Sequence, residues 1–143
     1  MYSRPIHPVE FFNELGDKGN FVLLPSWVGA KRIDAFIDAN PVPDLRSKHR
    51  LDPEAVLVIN VGSVCERKGQ HIFIQAVDLL RSELPVLYPG KKIQFLMVGA
   101  RPGLFLETLK DEIARLGLED LAIFLPETGD IFDFYRMADV FTC

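Results

Sequence analysis

From residue 55 onward, three apolar, β-prone runs each stop at a glycine or proline, and a stretch with helical spacing follows each of them. Ala55-Val56-Leu57-Val58-Ile59-Asn60-Val61 ends at Gly62, Ile93-Gln94-Phe95-Leu96-Met97-Val98 at Gly99, and Leu121 to Leu125 at Pro126. The first two runs lack the polar alternation of a half-exposed strand, which predicts strands covered on both faces. Residues 69–84 carry Ile72, Ala76, Leu79 and Leu80 as the expected apolar stripe of a helix, which Pro85 and Pro89-Gly90 break. Residues 104–116 place Leu106, Leu109, Ile113 and Leu116 on one stripe, with Gly117 as the C-cap candidate. A short helix is expected over 131–137 and a fourth strand from Val140. This alternation is the pattern of a parallel sheet with right-handed crossovers. The predicted fold class is α/β, a doubly wound, Rossmann-like parallel sheet of which only about half is present.

The rhythm sets in at Asp52, so 1–51 reads as a leading segment and 52–143 as a half domain truncated at its C-terminus. The leading segment is punctuated by Pro5, Pro8, Gly16, Gly19, Pro25, Gly29, Pro41 and Pro43. Within it, 8–15 suits a short helix, 21–24 a short strand closed by Pro25, and Ile33, Phe36 and Ile37 predict a helix over 31–39. Residues 44–49, with Arg46, Lys48, His49 and Arg50 close together, read as a solvated loop face. The last six residues, Ala138-Asp139-Val140-Phe141-Thr142-Cys143, are apolar and β-prone with no polar tail. Natural termini tend to be frayed and exposed, so the chain reads as a fragment of a longer protein. An unpaired sheet edge then predicts self-association.

Composition removes several function classes. With 48% hydrophobic residues the chain is not disordered. A net charge of −4 argues against a broad nucleic-acid footprint. Cys65 and Cys143 make neither a disulfide framework nor a zinc site and suit a reducing cytosol. No apolar run reaches the ~18–20 residues of a membrane span, and the amino end lacks the layout of a signal peptide. The chain reads as cytosolic, with a peripheral membrane contact left open. Gly62 and Gly69 do not form GxGxxG, and GxxxxGK[ST], GxSxG and HExxH are absent. His7, His49 and His71 show no ligand spacing, and His71 reads as a surface or capping residue rather than a general base. No cofactor is predicted.

In open parallel sheets ligands bind beyond the carboxyl ends of the strands, which points to 62–70, 99–103 and 126–130. Gly62-Ser63-Val64-Cys65-Glu66-Arg67-Lys68-Gly69-Gln70 sets two adjacent cations just before a helix amino terminus, where the helix dipole disfavours positive charge. An anion held between Arg67, Lys68 and the helix-end amides relieves that conflict. The alternative is a solvated basic pair partly neutralised by Glu66. Arg101 adds a cation after the second strand. Gly62 and Gly99 either allow close backbone approach to a ligand or simply permit tight turns.

Three segments together carry a family resemblance: Val61 through Lys68-Gly69-Gln70, then Phe95-Leu96-Met97-Val98-Gly99, then Tyr135 through Ala138-Asp139-Val140-Phe141. The chain resembles family 4 (group 1) glycosyltransferases over about residues 20 to 143, including the Leu24-Pro25 strand end. The resemblance implies the carboxyl-terminal, donor-binding domain of a GT-B fold enzyme that transfers a sugar from a nucleotide-diphosphate donor, with retention and without a catalytic metal. It makes Lys68 the catalytic residue, contacting the donor diphosphate and stabilising leaving-group charge. It places Gly62 and Ser63 beside the phosphates and Pro126 and Glu127 near the base, and leaves Asp139 to position the last segment. Arg67 and Arg101 complete the expected substrate-binding set. Many members carry Arg directly after the strand-one glycine, where this chain has Ser63. The family's E-x7-E segment would fall beyond Cys143, and the amino-terminal acceptor domain is not in the chain, so this piece alone is not expected to be a competent catalyst. The sugar, nucleotide and acceptor stay open. A non-catalytic Rossmann-like binding or assembly module is the alternative.

Overall fold

Val, Ile and Leu crowd the central strands because helices cover both of their faces. The computed structural model describes residues 30–41, 43–129 and 131–143. The chain divides into two units, Met1–Pro41 and Val42–Cys143. In the first, α1 (Ala30–Ala39) forms where the Ile33, Phe36 and Ile37 spacing predicts a helix. The helix and strand expected at 8–15 and 21–24 lie outside the described residues.

The second unit runs α2 (Leu45–Lys48), β1 (Val56–Val61), α3 (Gln70–Leu80), α4 (Leu84–Leu87), β2 (Ile93–Ala100), α5 (Leu104–Leu116), β3 (Ala122–Pro126), α6 (Ile131–Met137) and β4 (Val140–Thr142). The four strands form one sheet in the order β3-β2-β1-β4, and every pairing is parallel. Strand β1 matches β2 from Val56 opposite Ile93 to Val61 opposite Val98. The inner strand β2 is buried from Ile93 to Gly99, as a doubly covered strand requires.

Side chains alternate across the sheet, so two apolar clusters form, one on each face. Leu57, Ile59, Leu96, Val98 and Leu125 pack with Phe134 of α6, Leu45 of α2 and Leu51. On the other face Ile93, Phe95, Met97 and Ala122 pack with Ile74 and Val77 of α3 and Leu109 and Ile113 of α5. Helices on both faces make the sheet doubly wound, with the Rossmann-like architecture expected. Each fully buried Leu, Ile or Phe is worth roughly 1.5–3 kcal/mol, and β2 supplies residues to both clusters. Helix α5 closes at Gly117, whose φ of 65° supplies the expected left-handed cap.

Several expectations need correction. The buried face of α3 is Gln70, Ile74 and Val77, with Phe73 packed alongside. The expected stripe of Ile72, Ala76, Leu79 and Leu80 faces outward instead, with Ile72 at 61% and Leu79 at 75% exposure. The helix stops at Leu80, and Pro85 lies in the first turn of α4, where a missing N–H costs nothing. Residues 44–49 are not a solvated loop. Asp44 caps α2 by accepting the Ser47 N–H at 3.0 Å, and Leu45 is buried. Arg46 donates to the carbonyls of Asp52 and Ala55, both at 2.9 Å. The leading segment expected over 1–51 therefore overlaps the sheet unit from residue 42. Among the described residues no helix is long and apolar enough to cross a membrane.

Candidate functional site

The carboxyl ends of β1 and β2 are drawn together by one glycine. Gly99 is the extra residue of a bulge between β2 and β3, since Val98 faces Leu125 while Ala100 faces Pro126. Its φ is +119°, and a Cβ there would lie 2.4 Å from the carbonyl oxygen of Gly62. Only a residue without a side chain admits that approach. The Gly62 N–H donates to the Val98 carbonyl at 2.9 Å and the Val64 N–H to the Gly99 carbonyl at 3.3 Å. The close approach that Gly99 admits in this structure is that of the Gly62 backbone.

From this junction the chain runs through Ser63–Cys65 into a single tight turn at Glu66–Lys68. Lys68 N–H bonds back to the Cys65 carbonyl at 2.9 Å, and Gly69, left-handed at φ 71°, starts α3. The turn folds Lys68 back over the end of β1. Its Cδ and Cε would lie 3.7 Å from a Cβ at Gly62, so the aliphatic stem crosses the glycine. Arg67 and Lys68 are exposed, and neither has an ion-pair or hydrogen-bond partner for its side chain among the described residues. Two uncompensated cations thus stand where a helix begins, an arrangement that attracts an anion.

Arg101 is differently placed. Its guanidinium forms a two-pronged ion pair with the Glu127 carboxylate, linking the segments that follow β2 and β3. The Glu127 N–H also bonds to the Ala100 carbonyl at 3.2 Å. Hydrogen bonding from Arg101, followed by its charge, holds the Glu127 carboxyl below the usual glutamate value. The same contacts raise the Arg101 value further. Arg101 is therefore not the free cation that its position in the sequence suggests. The structure brings Gly62, Ser63 and Lys68 together at one strand end and Arg101, Pro126 and Glu127 at the neighbouring ones, joined through Gly99-Ala100.

Asp139 sits at the opposite end of β1. Its carboxylate accepts the Leu57 N–H at 2.8 Å, its own N–H donates to the Leu57 carbonyl at 2.9 Å, and Arg46 approaches at 3.9 Å. It seats β4 against β1. Cys65 is half-buried and Cys143 exposed, both as free thiols. His71 is half-buried, edge-on to Phe105 at 6.4 Å, with its Nδ1 lacking a partner among the described residues. No cluster of three or more His, Cys, Asp or Glu able to hold a metal occurs among those residues.

The family model of glycosyl transferases group 1 matches residues 41–143. The chain belongs to the group 1 glycosyltransferase family. No curated protein sequence matches this glycosyltransferase domain, but solved structures do. Anabaena HepE, solved in complex with UDP and glucose, is 25% identical with a TM-score of 0.55, covering 70% of this chain and 25% of that one. A glycosyltransferase from Rickettsia africae is 21% identical with a TM-score of 0.69, covering 87% and 32%. WaaG, a glycosyltransferase of lipopolysaccharide biosynthesis, is 20% identical with a TM-score of 0.66, covering 94% and 34%. The last two bear on the fold, which is that of GT-B glycosyltransferase domains. The chain thus spans only a quarter to a third of the length of these structures, a partial domain.

Two further side chains hold backbone at the two ends of β1, Arg46 before it and Gln70 after it. Arg46 looked like one cation in a solvated group, and nothing local marks it as a clasp. Gln70 follows Lys68-Gly69 in sequence with no role expected from its position. Its signal is a polar residue at the head of the buried series Gln70, Ile74, Val77.

Proposed function

We infer that the intact protein transfers a hexosyl group from a nucleotide-diphosphate sugar to an acceptor, and that this domain holds the donor. The observation that carries the reading is the pair Arg67 and Lys68, exposed and without a side-chain partner among the described residues at the carboxyl end of β1, with the Lys68 stem laid over Gly62. A diphosphate at this edge gains charge-assisted bonds that no carboxylate among the described residues already occupies. Lys68 supports the leaving diphosphate as its negative charge grows, which is preorganised electrostatic stabilisation. Gly62 and Ser63 border the phosphates, while Pro126 and Glu127 lie near the base. Arg101 enters the binding set by exchanging part of its bond with Glu127 for the ligand. Retention, independence of a metal and the separate amino-terminal acceptor domain follow from the family resemblance, whereas the cytoplasmic location, with a peripheral membrane contact left open, follows from the cysteine usage and the amino-acid pattern. HepE, with UDP and glucose bound, supports a nucleotide-sugar as the partner. The domain alone binds nucleotide and performs no transfer, because positioning both reactants is much of what such an enzyme contributes.

The test is a titration of uridine, guanosine and adenosine diphosphates into the isotope-labelled chain at two salt concentrations. Millimolar affinity, on the order of −4 kcal/mol, is expected. Amide shifts should cluster at 62–70 and 99–103 and weaken with salt. Lys68→Ala should abolish them while leaving thermal stability within about 1 kcal/mol, as for an exposed side chain. No shift with any of the three at about 10 mM would reject the reading.

A further inference from the structure

Gln70 is 1% exposed, at the first position of α3, on the face that otherwise buries Ile74 and Val77. A primary amide in such a place persists only when its polar atoms are satisfied. Both are used on the same short loop. Gln70 Nε2 donates to the Ser63 carbonyl at 3.3 Å, and Gln70 Oε1 accepts the Cys65 N–H at 3.4 Å. The Val64 N–H, which shares a peptide unit with the Ser63 carbonyl, is held by the Gly99 carbonyl at 3.3 Å. That peptide is thus gripped at both ends, by the helix on one side and by β2 on the other. Cys65 in turn anchors the tight turn, since its carbonyl accepts the Lys68 N–H at 2.9 Å. The chain of bonds runs from the Gln70 amide through Cys65 to Lys68.

We propose that Gln70 is the positioning residue of the β1–α3 loop, fixing the backbone that presents Arg67 and Lys68 to a phosphate-bearing ligand. Gln70 touches no ligand itself. It acts by leaving the loop one backbone path, so that the two cations stand in place before the anion arrives. The functional half of this proposal rests on the nucleotide reading above, whereas the ordering of the loop does not.

The experiment is amide hydrogen exchange with nucleotide titration on the whole chain, comparing the wild type with Gln70→Met and Gln75→Met. Gln75 lies exposed on the same helix, so its substitution controls for the change in residue type. In the wild type the Gln70 side-chain amide protons should exchange at least about tenfold more slowly than those of Gln75. This measurement needs no variant, and equal rates overturn the proposal even if Gln70→Met fails to fold. Gln70→Met should speed exchange at Cys65 about tenfold while Leu57 and Leu96 in the sheet keep their protection. It should also weaken uridine diphosphate binding by about fivefold or more, as loss of one such hydrogen bond suggests. Gln70→Glu keeps an acceptor for the Cys65 N–H and removes the donor to Ser63, so Cys65 should stay protected. An unchanged Cys65 rate in Gln70→Met overturns the ordering. Faster exchange with unchanged affinity overturns the positioning role. A wild-type chain that binds no nucleoside diphosphate rejects the nucleotide reading, and with it the functional half, while the exchange rates still decide the ordering.

Discussion

Gly99→Ala is the sharpest perturbation of the strand-end junction. At φ +119° an alanine is strained by its own backbone, at roughly 1–2 kcal/mol for an L-residue on the left-handed side. Its Cβ also meets main-chain atoms, 2.4 Å from Gly62 O, 2.8 Å from Gly62 C and 3.3 Å from Ser63 N. These belong to a strand end and cannot swing away as a flexible side chain does, so overpacking adds about 1–3 kcal/mol. The sum, about 2–5 kcal/mol, is a large share of the 5–15 kcal/mol by which domains are usually stable. With an m-value of about 2 kcal/mol per molar, urea unfolding should shift its midpoint down by roughly 1–2.5 M. Two other glycines separate the causes. Gly90→Ala has open space around its Cβ at φ +75° and should cost backbone strain alone, about 1 kcal/mol. Gly103→Ala meets nothing within 4 Å and has extended φ, so it should be close to neutral. The expected order of midpoints is Gly103→Ala, then Gly90→Ala, then Gly99→Ala. A Gly99→Ala midpoint equal to that of Gly90→Ala would refute the steric account of the junction.

Four further outcomes follow from the surrounding contacts. Glu127→Gln frees Arg101 from its partner, so it should tighten nucleoside diphosphate binding in the same titration with little change in thermal stability, and unchanged or weaker binding counts against the exchange of partners. Because the folded Glu127 value is lowered, the pair's stabilisation is present above the ordinary glutamate value and disappears as pH falls through the lowered one; a carboxyl-carbon titration by NMR should show the low inflection, and Arg101→Gln should raise it. Arg46→Met removes two charge-assisted bonds to the Asp52 and Ala55 carbonyls and should cost about 2–3 kcal/mol in urea unfolding while leaving nucleotide affinity intact. Val140 and Phe141 are about half exposed on the edge strand β4, so sedimentation velocity should show concentration-dependent association that Val140→Lys reduces.

The architecture was legible because it depends on local rules repeated along the chain. Runs of β-branched residues bounded by Gly and Pro became β1, β2 and β3 to within one or two residues, and Gly117 capped α5 as expected. What failed was the choice between two faces of one apolar helix. In α3 the series Ile72, Ala76, Leu79, Leu80 and the series Gln70, Phe73, Ile74, Val77 are both at helical spacing. The first contains only apolar residues and the second opens with an amide, so hydrophobicity alone favours the wrong one. The sheet chose the second because Gln70 satisfies its polar atoms on the preceding loop, which lets a polar residue head a buried stripe. Similarly, Arg46 became a clasp only because residues 52–55 return beside α2, a proximity absent from the charge pattern of 44–50.

Protonation of His49 offers a last test of how firmly α2 is built into the sheet unit. The His49 ring lies against Phe134 of α6 at a centroid distance of 5.4 Å. Burial there, followed by the neighbouring Lys48 charge, lowers its value below that of an ordinary histidine. In this window the unfolded chain binds more protons than the folded one, so acid favours unfolding. The neutral ring's contribution is present above the ordinary value of about 6.5 and is lost as pH falls through the lowered folded value. Stability measured by urea between about pH 7 and 5 should therefore decline, in part through His49. His49→Gln removes the titration and should flatten that part of the decline. Asp44, whose carboxyl is lowered by its bonds to Ser47, titrates well below this range and does not contribute to it. If the variant and the wild type lose stability in parallel, His49 is not held neutral against Phe134, and the packing of α2 on α6 is looser than the buried Leu45 and Phe134 imply.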